Sequence, residues 1–193
     1  MTDRTFTHRL QEVLEPILQS DDPRRKLSAY NDMPYALFVY DPEHEFQLRG
    51  QVRMLGTRLE QHGKRVHLVS LAECLEEAML ATNSFEEWYA VEREHGVNLV
   101  IQTITEVLAD YAPLIDLVAK RLPADPDPTR DVVFIRRAGA LFPAYRTFSL
   151  LEQLKGRLHV PTVLFYPGHR EGPAGLRFMG ELDAEHNYRP KIF

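Results

Sequence analysis

Apolar and polar positions along the chain follow two periods, and the switches between them mark out the elements. From Phe6 through Leu10, Val13 and Ile17 apolar residues recur at helical spacing, while Pro16 removes a backbone donor and predicts a kink or split in that helix. Asp21 to Lys26 is polar and turn-like. Tyr35 to Tyr40 is then an unbroken apolar run of the length expected for a buried strand. Asp41-Pro42-Glu43 supplies a capping carboxylate, a proline suited to the first helical position and an acidic first turn, so a helix starts there. Leu48, Val52, Leu55 and Leu59 mark its apolar face until Gly63, a candidate C-terminal cap, and Arg65 to Val69 reads as a second strand.

Ser70 with Glu73 and Ser84 with Glu87 have capping-box spacing, which predicts two short helices between Leu71 and His95. A third begins near Asn98 and carries Ile101, Ile104, Leu108, Leu114, Leu117 and Val118, with a break or kink at Pro113. The stiff polar stretch Asp125 to Pro128 precedes a third strand, Asp131 to Ile135. Pro143 opens a helix with Tyr145, Phe148, Leu151 and Leu154 on one face, closed by Lys155-Gly156. Pro161 to Tyr166 is the fourth strand, and a glycine-rich loop from Gly168 to Gly175 leads into an alternating edge strand over Leu176 to Leu182. Strands separated by helical crossovers imply an α/β fold: a mainly parallel sheet of four to five strands with helices on both faces. The expectation is a single α/β domain over residues 1–193, with an amino-terminal helix and turn over 1–30 and a helical insert over 71–122 between strands two and three.

Composition narrows the function classes. At 193 residues, 44% hydrophobic and 26% charged, the chain fits one globular core. Its net charge of -5 repels a phosphate backbone at long range, which argues against autonomous DNA binding and leaves DNA contact to a partner. Cys74 is the single cysteine and has no partner for an internal disulfide, and no signal-like or bilayer-length apolar run is present. A cytoplasmic location, with no membrane role beyond a peripheral one, is the expectation.

Several blocks then resemble one family in its own order. Asp131-Val132-Val133-Phe134-Ile135, Ala140-Leu141-Phe142-Pro143 with Leu150-Leu151, and Val160 through Gly168 resemble successive blocks of the BrxB family, small components of BREX bacteriophage-exclusion systems. Pro34 to Asp41 is similar to the family's opening strand, and Asn187-Tyr188-Arg189 to a terminal block, though arginine here replaces the family's usual second aromatic. The resemblance implies a defence component without an agreed enzymatic activity. It would join an alkaline-phosphatase-like protein to a large ATPase, with an adenine methyltransferase in the same complex, and it supplies no catalytic residues.

The residues themselves offer little complete chemistry. Neither familiar phosphate-binding glycine motif is present, and neither H-E-x-x-H nor a Cys/His ligand spacing appears, so no metal and no cofactor is expected. Ser149 lacks a nucleophile elbow, and Cys74 reads as a small buried hydrophobe. In a parallel sheet, Asp41, Arg136, Arg137, Gly168, His169 and Arg170 share the carboxyl rim, where arginines and free backbone donors could hold an anion. Against that, Asp41 and Ser70 are explained as helix caps, and the arginine pair as a solvated loop or ion-pair partner. Phe85, Trp88 and Tyr89 on the insert, and Tyr188, Arg189 and Phe193 at the tail, offer either core packing or a face for a protein partner. Two functions follow: an adaptor that is not an enzyme, or a nucleotide- or phosphate-responsive sensor or enzyme working at the rim.

Overall fold

The computed structural model describes residues 3–27, 34–172, 175–183 and 190–193. Its strands are β1 (Tyr35–Tyr40), β2 (Arg65–Ser70), β3 (Asp131–Arg136), β4 (Thr162–Glu171), β5 (Gly175–Phe178) and β6 (Lys191–Ile192). They form one mixed sheet in the order β2-β3-β4-β1-β6, parallel throughout, with β5 paired antiparallel to the end of β4. Every residue of β1 is buried, as a central strand covered on both faces requires.

Alternation along the strands divides the core in two. Ala36, Phe38, Tyr40, Val132, Phe134, Val163 and Phe165 face one side, where they meet the amino-terminal helices and α4 (Glu45–Gln61) through Leu48, Val52, Leu55 and Leu59. Tyr35, Leu37, Val39, Val133, Ile135, Leu164 and Tyr166 face the other, against α5 (Leu71–Leu80), α8 (Leu114–Ala119) and α9 (Thr147–Leu154). Each fully buried leucine in these layers contributes roughly 1.5–3 kcal/mol relative to exposure. The insert holds two further helices, α6 (Phe85–His95) and α7 (Val97–Glu106). Ser84 completes a reciprocal capping box with Glu87, whereas Ser70 accepts only the Glu73 N–H.

Both helix-interrupting prolines are absorbed in the same way. Ahead of Pro16 the helix α1 (Asp3–His8) widens into a π-helical turn over Arg9–Leu14, where the Glu15 N–H reaches the Leu10 carbonyl, and winding resumes as α2 (Glu15–Gln19). Ahead of Pro113, a π turn over Val107–Tyr111 ends with the Ala112 N–H 2.8 Å from the Val107 carbonyl. Widening the turn removes the clash of the proline ring with the carbonyl four residues back. A short helix α3 (Arg24–Leu27) precedes β1.

Three expectations change. The helix placed at Pro143 starts at Thr147, because Phe142, held extended before the proline, ends a 3-10 turn over Ala138–Leu141. The glycine-rich loop at Gly168 is instead strand: β4 runs on to Glu171 and folds back as β5. Gly168 is required there because a Cβ would overlap the Arg177 carbonyl oxygen and lie 2.8 Å from the Tyr166 ring. The sheet also gains β6, held to β1 and continued by the Phe193 N–H on the Leu37 carbonyl at 2.8 Å.

Candidate functional site

The order of the strands creates an opening at the carboxyl ends. From β1 the chain leaves on the α4 face and crosses two strands to reach β2; from β2 and β3 it returns stepwise on the opposite face. The segments after β1 and β3 therefore diverge above the end of β4, and such switch points are where open α/β sheets hold ligands. A cleft of about 210 Å³ lies there, lined by Pro42, Glu45 and Arg49 after β1, Arg137 and Gly139 after β3, and Pro167 in β4. It is smaller than the roughly 300–1,000 Å³ usual for pockets that engulf a drug-sized ligand. Its size suits a small group or the end of a larger one.

The charges in the cleft are unevenly satisfied. Glu45 accepts a hydrogen bond from the Tyr40 hydroxyl through one oxygen and from Arg49 Nε, at 2.8 Å, through the other. Burial, reinforced by that bond to Glu45, pushes the Tyr40 phenol well above its ordinary range, so it stays a donor. The Arg49 guanidinium also covers the Phe46 ring at 5.0 Å. Arg137 differs: it adopts a left-handed backbone conformation at φ 60°, and its Nε is buried with no acceptor among the described residues.

The rim residues singled out in the sequence divide accordingly. Arg137 lines the cleft, while Asp41 caps the turn after β1, accepting the Glu43 N–H at 3.0 Å. Arg136 lies outside the cleft lining, and its Nε is likewise buried without an acceptor. Gly168, His169 and Arg170 sit in the β4–β5 hairpin; the His169 ring packs by Gly180, and Arg170 Nη2 donates to the Ile192 carbonyl at 2.8 Å. Sequence reasoning missed Arg49 and Glu45. Their i,i+4 spacing was visible, but its position over the switch point depends on strand order. Arg9 was missed too: burial, then Arg170, lowers its pKa, and it stacks 4.9 Å over Phe38.

Among the residues considered for partner contact, Trp88 is buried and donates through Nε1 to the Met79 carbonyl at 3.2 Å. Phe193 is buried on the sheet, while Tyr188 and Arg189 lie outside the described residues. Phe85 is half-buried and stacks on Tyr89, which is 57% exposed. Of the nine large hydrophobic residues exposed among those described, Leu80, Tyr89, Val97, Leu99 and Tyr111 belong to the insert, so open apolar surface is concentrated there. The helix α7 carries five aliphatic residues and buries none of them fully.

A family model described as BREX protein BrxB matches residues 67–192, from β2 to β6. The chain belongs to the BrxB family. It is also 26% identical over 188 residues, 96% of each chain, to the BREX protein BrxB of Bacillus cereus (strain H3081.97). No solved structure gives a significant match. The matched span includes the helical insert, in which none of the family-like sequence blocks falls, and the fit places the protein in BREX systems of phage exclusion. Arg137, Gly139 and Pro167 fall inside the matched span, and Pro42, Glu45 and Arg49 precede it. Among the described residues no helix is long and apolar enough to cross a membrane, and no group of His, Cys, Asp or Glu is placed to hold a metal.

Proposed function

We propose that this BrxB protein is an adaptor rather than an enzyme, joining the alkaline-phosphatase-like component of its BREX system to the ATPase. The methyltransferase, and DNA itself, would be reached through the complex. The supporting observation is the insert: α7 has aliphatic residues along its length without one fully buried, Val97 and Leu99 being exposed, and Tyr89 and Tyr111 stand open on neighbouring segments. Isolated exposed hydrophobics are ordinary, but apolar surface gathered on one part of the fold marks a place for another protein. The net charge of -5 supports protein contact over direct DNA contact.

Co-purification tests the reading. The full chain is mixed with the phosphatase-like protein, with the ATPase, and with both. A ternary complex that assembles only when this chain is present is the expected result. Failure to bind either component would defeat the adaptor role.

A further inference from the structure

Arginine donors buried without acceptors occur three times among the described residues, at Arg9, Arg136 and Arg137, and Arg137 borders the switch-point cleft. Arg9 is compensated in part by the Phe38 ring beneath it. Among the described residues no ring lies beneath Arg137. A buried donor in a native fold calls for a partner, and a guanidinium prefers one with two oxygens in a plane. Among the described residues lining the same cleft the one acid is Glu45, already engaged through both oxygens by Tyr40 and Arg49. The cleft thus contains one ion pair and a second guanidinium whose Nε has no acceptor among the described residues.

We propose that the switch-point cleft binds a small oxyanion, inorganic phosphate or the phosphate end of a larger molecule, through the Arg137 guanidinium with Arg49 alongside. The left-handed conformation of Arg137 carries the chain from β3 into the 3-10 turn of Ala138–Leu141, so the side chain is presented from a rigid strand end. Gly139 keeps that wall low: a Cβ there would come within 3.1 Å of Met179 Sδ. The volume of about 210 Å³ accommodates a phosphate. The site goes beyond the adaptor reading and does not depend on it, since it concerns the purified chain alone.

The test is titration of the full chain by calorimetry and thermal melting at constant ionic strength. Inorganic phosphate, AMP and acetate are the probes, and chloride is the reference. Arg137→Ala removes the proposed ligand group, and Arg137→Gly removes it while accepting the left-handed backbone, so loss of binding is separable from misfolding. Arg157→Ala is the control, an exposed residue paired with Asp116. Saturable binding of phosphate that weakens roughly tenfold or more in both Arg137 variants, but not in Arg157→Ala, is expected. AMP binding like phosphate would mark the phosphate end of a larger ligand as sufficient. AMP failing where phosphate binds would restrict the site to the free ion. Absence of saturable phosphate binding, or equal binding by wild type and Arg137→Gly, would overturn the proposal, and acetate binding as tightly as phosphate would overturn its assignment to phosphate.

Discussion

Glu15 clamps Arg58 across 43 positions of sequence, with Arg58 Nε 2.8 and 3.0 Å from the two carboxylate oxygens and Nη2 at 2.7 Å. The bond joins α2 to α4 on one face of the sheet, and the hydrogen bond to Glu15 raises the Arg58 pKa. Glu15 is nearly buried while Arg58 is partly open to water, so the pair is worth more than a surface salt bridge but less than a fully desolvated one. Glu15→Ala should cost about 1–3 kcal/mol in urea denaturation. Unchanged stability would show that the amino-terminal helices dock by their leucines alone.

At the opposite end of the sheet from the cleft, Asp131 is fully buried. It accepts from Arg65 at 2.7 Å, from the Asp127 N–H at 2.8 Å, and lies 2.9 Å from His67 Nε2. Burial works to raise its pKa, but the Asp127 N–H, His67 and Arg65 together bring it below the ordinary carboxylate range. A depressed folded pKa gives stability that is present above the unfolded value and lost as pH falls through the folded one. Asp131→Ala should cost about 2–4 kcal/mol near neutral pH, and the gap from wild type should narrow in acid. Denaturant melts across the acidic range check both statements.

Cys74 has the opposite sign. Burial pushes its thiol up to about 11, so its contribution is complete below the ordinary thiol pKa and is lost as pH rises through the folded value. Cys74→Ala should reduce the loss of stability above the ordinary thiol range. A thiol reagent at mildly alkaline pH should leave the native protein unmodified and react fully once it is unfolded. Rapid modification of the native chain would contradict the packing of α5.

Two glycines predict opposite outcomes. Gly168→Ala brings a Cβ against the Arg177 backbone and should cost more than about 2 kcal/mol, loosening the β4–β5 hairpin. Gly50 lies inside α4 with nothing within 4 Å of a new Cβ, so Gly50→Ala should gain about 0.5–1 kcal/mol. Thermal melts of the two variants give the signs directly.

What was legible in the sequence follows from how locally each feature is determined. Tyr35–Tyr40 could be read residue by residue because a strand buried on both faces is a continuous apolar run. The start of α6 could be read because its capping box lies within four residues. The extension of β4 was hidden: Pro167 and Gly168 are turn residues in isolation and become strand only because β5 returns against them. The two-residue β6 has no periodicity of its own. At the rim, Arg137 was visible as a residue after a strand. Its companions Glu45 and Arg49 were not, since strand order, a tertiary fact, brings α4 over that cleft. Trp88 and Phe193 resolved to packing once the helices and tail had a sheet to lie on.

Docking of a partner on the insert is read out by hydrogen exchange of the full chain, alone and with the phosphatase-like or the ATPase component proposed to bind it. Slowed exchange over α6 and α7, residues Phe85–Glu106, in one of the two complexes is the predicted result. A stable complex in which those helices exchange as fast as in the free protein would place the contact elsewhere and rule out the insert as the docking face.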